Sequence, residues 1–217
     1  MEIRTKKIAL ALVGGSLSAP SKMPCHGYSL PNTVCGVGSK LKVVVGSVCS
    51  DCYSGKGNYM FSNVQQALHS RMESLIADPK HWAKAMVYLI AGMEYFRWHD
   101  SGDLLGEWHL ELIVKIARAL PETKFWLPTK EKALVLRYFK NRSVPKNLTI
   151  RLSAPMIGMV IDSPMPRKIQ TSSVIHKKQT PLKMHGVICS APKNGGNCGD
   201  CRACWNKSIS NISYIKH

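Results

Sequence analysis

Acidic side chains are scarce in this sequence. Across 217 residues, 13 Asp and Glu face 30 Lys and Arg, which leaves a formal charge of +17. A field of that sign attracts polyanions, so nucleic acid is one expected class of partner. The basic residues are spread along the chain, however, with no arginine-rich block and no aromatic–basic repeat. That spread favours a generally cationic surface over a dedicated nucleic-acid groove. Long apolar runs are lacking as well. No window approaches the roughly 20 residues of a transmembrane helix, and no membrane is expected. Linkers and low-complexity segments are also missing, and the sequence reads as a single domain, 1–217, long enough to bury a full core.

The N-terminus comes near a secretion signal without meeting its requirements. Lys6 and Lys7 precede an apolar stretch at 8–13, and Gly14 and Gly15 follow it. Six apolar residues fall short of the usual minimum of about seven. A buried strand ending in a glycine turn accounts for the stretch, and a cytoplasmic, reducing setting is expected. There, cysteines serve as ligands rather than as disulfides.

Eight cysteines are present, and their spacing is the strongest signal in the chain. Cys198, Cys201 and Cys204 stand at two equal two-residue spacers, with Cys189 nine residues upstream of Cys198. Such spacers let a tight turn aim successive thiolates at one centre. A run of this type marks an iron–sulfur cluster, with tetrahedral zinc as the competing ligand. Cys35, Cys49 and Cys52 form a second group in the loop-like region 20–60, a set of three that suits a [4Fe–4S] cluster with one iron left open. Two partitions are compatible with the spacing. The late four close a site of their own, or Cys49 and Cys52 share a cluster with two of them. Cys25 reads as a spectator. His26 adjoins Cys25 and His185 lies four residues before Cys189, both weaker zinc ligands, and Tyr53 and Trp205 are placed to shield a cluster.

Hydrophobic periodicity predicts helices over 64–78 and 80–91, divided by Asp78 as a cap and Pro79 at the first helical position. A strand is expected at 93–98, an amphipathic helix over 105–120 carrying Trp108, Leu112, Ile116 and Leu120, and a strand at 124–127. A helix to about 140 follows, then strands at 147–152 and near 173–176, and a shorter one is expected at 42–45. Strand–helix alternation of this kind predicts an α/β fold with a parallel sheet, an open or partial α/β barrel.

In such sheets chemistry collects at the carboxyl ends of the strands. His99, Asp100, Ser101 and Asp103 follow the first main strand, Thr129, Lys130 and Glu131 the second, and Arg151 and Ser153 close the third. His99, Asp100, Ser101, Asp103, Arg151 and Ser153 are therefore candidates for lining a pocket for a cofactor or small-molecule substrate. For Asp103 a local role as N-cap of the next helix competes with that reading. His69, His81 and His109 read as structural or solvated.

The blocks at 22–23, 28–31, 46–53, 96–103, 125–131, 151–153 and 198–205 resemble the bacteriophage "gene product 88" family. That resemblance implies a phage product acting in the cytoplasm of an infected host. More distantly the chain looks like radical S-adenosylmethionine (SAM) proteins, whose partial barrels hold a three-cysteine [4Fe–4S] cluster. The phage radical-SAM-like motif is Cys-x3-Cys-x2-Cys-Tyr. Here Cys49, Cys52 and Tyr53 match its tail, and Val45 stands where the first cysteine would be, with Cys35 the nearest alternative. The resemblance thus implies a radical-SAM-type enzyme. An electron-transfer, redox or structural iron–sulfur protein with a redox partner, and a zinc-stabilised nucleic-acid-binding protein, are the other expectations.

Overall fold

The structure, a computed structural model, describes residues 2–161, 169–177 and 186–216. Seven strands are described: β1 (Gly27–Tyr28), β2 (Tyr95–Trp98), β3 (Lys124–Thr129), β4 (Leu148–Ser153), β5 (Gln170–Ile175), β6 (Val187–Ile188) and β7 (Asn211–Ile215). They form one all-parallel sheet in the order β1-β2-β3-β4-β5-β7-β6, with β1 and β6 at the edges. The sheet is open, as expected of a partial α/β barrel. The helices are α1 (Lys6–Leu12), α2 (Gly36–Leu41), α3 (Ser62–Ala77), α4 (Pro79–Ile90), α5 (Glu107–Ala119) and α6 (Lys132–Tyr138).

Parallel register puts paired residues on the same face of the sheet, and side chains alternate between faces along each strand. Tyr28, Phe96, Trp98, Phe125, Leu127, Leu148 and Ile150 share one face. They form a core with Trp82, Met86 and Ile90 of α4 and Leu110 and Ile113 of α5. The aromatic content of this face is dense: Phe96 meets Trp98 and Phe125 edge-on at 5.0 and 6.0 Å. The opposite face carries Arg97, Trp126, Thr149 and Arg151, and is covered by the C-terminal cysteine loop rather than by helices.

Local chemistry explains most element boundaries. Asp78 accepts from the His81 amide at 3.1 Å and Pro79 opens α4, as the sequence predicts. Three expectations are corrected. The apolar stretch at 8–13 belongs to helix α1, which Thr5 caps through the Ile8 amide at 3.3 Å, not to a strand. Residues 43–45 form a turn after α2, with Val45 92% exposed, so no strand lies there. On α5 the buried stripe runs through His109, Leu110, Ile113, Val114, Ile116 and Ala117, while Trp108 faces outward.

Strands β1, β6 and β7 have no counterpart in the sequence reading. β7 is hidden by its polarity, because Asn211 and Ser213 are buried there against Thr171 and Ser173 of β5. The Thr171 hydroxyl donates to Asn211 Oδ1 at 2.8 Å, and the Ser173 and Ser213 hydroxyls lie 2.6 Å apart.

Candidate metal centre

Cys35, Cys49 and Cys52 are gathered beyond the carboxyl ends of the first strands. Cys35 precedes α2 at its N-terminus, and its carbonyl accepts from the Ser39 amide at 3.1 Å. Gly38 lies within the first turn. A β-carbon there would sit 2.9 Å from Cys35 Cβ and 3.6 Å from the sulfurs of both Cys35 and Cys49. The two sulfurs are therefore no further apart than twice that distance, with a bare glycine between them. Cys52 Sγ lies 3.0 Å from the Ser54 hydroxyl. Burial pushes the Cys35 thiol up to about 12, and the neighbouring Asp103, Cys52, Cys49 and Glu131 push the same way. Cys49 is also raised, by burial first, with Lys130 opposing.

Lys130 is the cation of this group. Its ammonium donates to the Ala154 carbonyl at 2.9 Å, and burial lowers its pKa against the pull of Cys49, Asp103, Cys52 and Cys35. Next to it, Glu131 Oε1 accepts from the Val37 amide at 2.7 Å, which ties the strand β3 loop to α2. Gly36 permits that contact, since a β-carbon would stand 2.9 Å from the same oxygen.

Asp103 is a brace, not a helix cap. Its carboxylate accepts from the Thr129 hydroxyl at 2.6 Å, the Lys130 amide at 2.9 Å and the Leu104 amide at 2.8 Å. The N-cap of α5 is Gly106, with no side-chain cap. Burial raises the Asp103 pKa to about 6, and the hydrogen bonds oppose the rise. Gly102, at φ +79°, is forced: a β-carbon would lie 2.6 Å from Leu30 Cβ.

His99 adopts a left-handed backbone at φ 52°, a rare conformation for a non-glycine residue and one that clusters at functional sites. Its ring is buried 5.1 Å from that of His109, and among the described residues neither of its nitrogens has a hydrogen-bond partner. Burial holds both imidazoles neutral: His109 falls to about 3 and His99 lies well below its ordinary value. The Ser101 and Ser29 hydroxyls are likewise buried without partners. Asp100 is spent on Arg97, at 2.6 Å, and accepts from the Tyr59 hydroxyl.

The late cysteines lie on the opposite face of the sheet from the helices. Cys189 follows β6, and its amide donates to the Ser213 carbonyl at 2.9 Å. The Cys198 amide donates to Lys22 O at 3.1 Å, and its sulfur lies 3.8 Å from Met23 Sδ. Cys198 is raised by burial and then by Cys189 and Cys201, so these three thiols bear on one another. Cys201 is exposed. Cys204 is deeper, with its sulfur 3.3 Å from the Tyr214 hydroxyl, and burial pushes it to about 11. The electrostatic neighbours of these thiols thus fall into an early group and a late group.

Arg151 holds the late loop from beneath and is not free to line a pocket. Its Nε donates to Cys204 O at 3.0 Å. Nη1 donates to Ile209 O at 3.0 Å and Thr171 O at 3.3 Å, and Nη2 to Asn206 O at 2.8 Å and Ala203 O at 3.1 Å. Ser153 is taken up by the Ser172 hydroxyl at 3.2 Å. Trp205 donates its indole N–H to Phe96 O at 3.0 Å and meets Trp126 and Tyr95 edge-on.

All eight cysteines are free thiols. Among the described residues, no three His, Cys, Asp or Glu are drawn in to the spacing of a single bound metal ion. His185 lies outside the described residues. The main contributors that sequence reasoning left out are Arg97, Gly38, Met23 and Tyr214. Only Arg97 carried a signal, as a charge inside an aromatic strand.

No curated protein and no solved structure matches the chain. The family model described as gene product 88 matches residues 2–207, nearly the whole length, and includes both cysteine groups. The chain belongs to the bacteriophage gene product 88 family.

Proposed function

We propose that this phage protein binds a [4Fe–4S] cluster through Cys35, Cys49 and Cys52 and acts as a radical-SAM-like protein. The observation that carries the reading is the approach of Cys35 and Cys49 across the bare Gly38, with Cys52 and Lys130 as their electrostatic neighbours. The position four residues before Cys49 belongs to solvent-facing Val45, and Cys35 supplies the third ligand from the start of α2. A cluster held by Cys35, Cys49 and Cys52 would leave one iron free of protein to chelate SAM and, given an electron from an added reductant such as dithionite, to cleave it to methionine and a 5′-deoxyadenosyl radical.

The chain's own residues serve that centre in separable ways. Lys130 offsets part of the negative charge of the thiolates. Asp103 and Glu131 lock the loops after β2 and β3 to each other and to α2. His99 and Ser101 offer buried, unpartnered polar atoms to a bound molecule, as ligand sites commonly do.

The deciding experiment measures iron, sulfide and zinc per chain on anaerobically prepared protein, followed by electron paramagnetic resonance with and without SAM. Iron and sulfide in equal amounts, a spectrum altered by SAM and release of 5′-deoxyadenosine are expected. Iron with a SAM-insensitive spectrum would leave an electron-transfer or structural cluster protein, and zinc alone would overturn the cluster reading.

A further inference from the structure

We propose that Cys25, Cys189, Cys198 and Cys201 form a second, fully cysteine-ligated iron–sulfur site on the sheet face opposite the helices, and that Cys204 is not one of its ligands. Cys25 lies two residues before Gly27, the register partner of Arg97, on the segment where the late loop docks. That docking is direct: Cys198 bonds Lys22 through its amide and touches Met23 through its sulfur. Cys25 itself is pushed up to about 11, by burial first, with Arg97 opposing and Cys198 adding to the rise. Cys198 is the shared neighbour, with Cys25 bearing on it from the docking segment and Cys189 and Cys201 from the late loop.

The surroundings suit a thiolate-bound centre. Arg97 is buried between Asp100 and the Trp126 ring, its Cζ 4.5 Å from the ring centroid, and its Nε has no hydrogen-bond partner. Arg202 lies over Tyr95 at 5.2 Å. These two guanidiniums act on Cys25 and Cys198 and supply part of the charge compensation that thiolates require when taken out of water. Cys204 is otherwise engaged. Its sulfur meets the Tyr214 hydroxyl, and its carbonyl is fixed by Arg151. Arg97 also stands between the two groups, reaching Met23 Sδ at 3.6 Å and the hydroxyl of Tyr53, the residue after Cys52, at 3.5 Å. A closed cluster there has no open iron and is suited to passing electrons or fixing the loop.

The second centre stands whether or not the first binds SAM. Iron and sulfide are measured on the full chain as wild type, as Cys35→Ser/Cys49→Ser/Cys52→Ser, as Cys25→Ser and as Cys204→Ser. Two cubane clusters correspond to about eight irons in the wild type. The triple variant should keep about half of the iron, with a SAM-insensitive spectrum. Cys25→Ser should lose the complementary half, and Cys204→Ser should keep all of it. Far-UV circular dichroism of Cys25→Ser guards against unfolding, and a conservative Cys25→Asp variant gives a second reading if that serine variant fails to fold. Full iron in a folded Cys25→Ser protein, or loss of half in Cys204→Ser, overturns the ligand set. Loss of all iron in the triple variant overturns the second site itself, and no loss there would overturn the first.

Discussion

Replacing Arg151 by Met should be among the most damaging single changes in the protein. The side chain is fully buried, and all five N–H groups of a guanidinium find main-chain carbonyls here, four of them between Ala203 and Ile209. A hydrogen bond to a charged group contributes roughly 1.5–3 kcal/mol, and each buried carbonyl left unsatisfied costs about 1–3 kcal/mol. Against that sum stands the desolvation cost of a buried cation with no carboxylate partner, which Met avoids. A net loss of about 3–5 kcal/mol is expected, a large share of the 5–15 kcal/mol typical of a domain. Lys retains the charge but not the planar fork, so Arg151→Lys should recover only part of it. Urea unfolding measures the loss. Thiol titration locates it, because a loosened loop should expose Cys204 to a thiol reagent. An unchanged midpoint together with unchanged Cys204 reactivity would refute the view that Arg151 organises the late loop.

Gly38→Ala gains about 1 kcal/mol of helix propensity but brings a β-carbon to 2.9 Å from Cys35 Cβ, so Cys35 must shift, and iron bound at the early site should fall by more than stability does. Iron per chain against the urea midpoint separates the two effects. Stability should fall as pH drops from about 6.5 toward 4. His99 and His109 stay neutral in the fold but take up protons once unfolded, so their contribution is present above 6.5 and is lost below it. Asp103 acts in the opposite sense: its folded pKa of about 6 lies above the ordinary 3.8, so the penalty for its ionised form is full above 6 and lifts on acidification. Asp103→Asn should therefore steepen the acid loss by roughly 1.4 kcal/mol per pH unit between 6 and 4. A parallel pair of stability–pH curves would show that Asp103 does not titrate as described.

The central sheet was legible because its strands announce themselves. β2, β3 and β4 are short apolar runs, fully buried on the helix side and punctuated by Pro121 and Pro145. α1 was misread because a six-residue apolar run has no decisive period, and the deciding feature was the Thr5 cap. β7 was invisible for the opposite reason, since a strand buried through Asn and Ser does not look like one. Cysteine spacing singled out the late group and strand-end position singled out Asp103 and His99, both of which the fold buries. Spacing says nothing of which distant segment comes alongside, so Arg151 passed for a pocket residue. Its role depends on where residues 203–209 pack, a property of the tertiary structure alone.

β7 lies between β5 and β6, not at an edge, although it is the last strand in the chain. The sheet must therefore wait for its final five residues before β6 gains a neighbour and the Cys189 main chain gains its bond to Ser213. A ribosome-bound chain lacking 211–215 can assemble β1 to β4 but not the half that carries the late thiols. Any metal bound by that half would accordingly be loaded only once β7 is made, and tags or truncations close to Ile215 fall on an interior strand of the sheet.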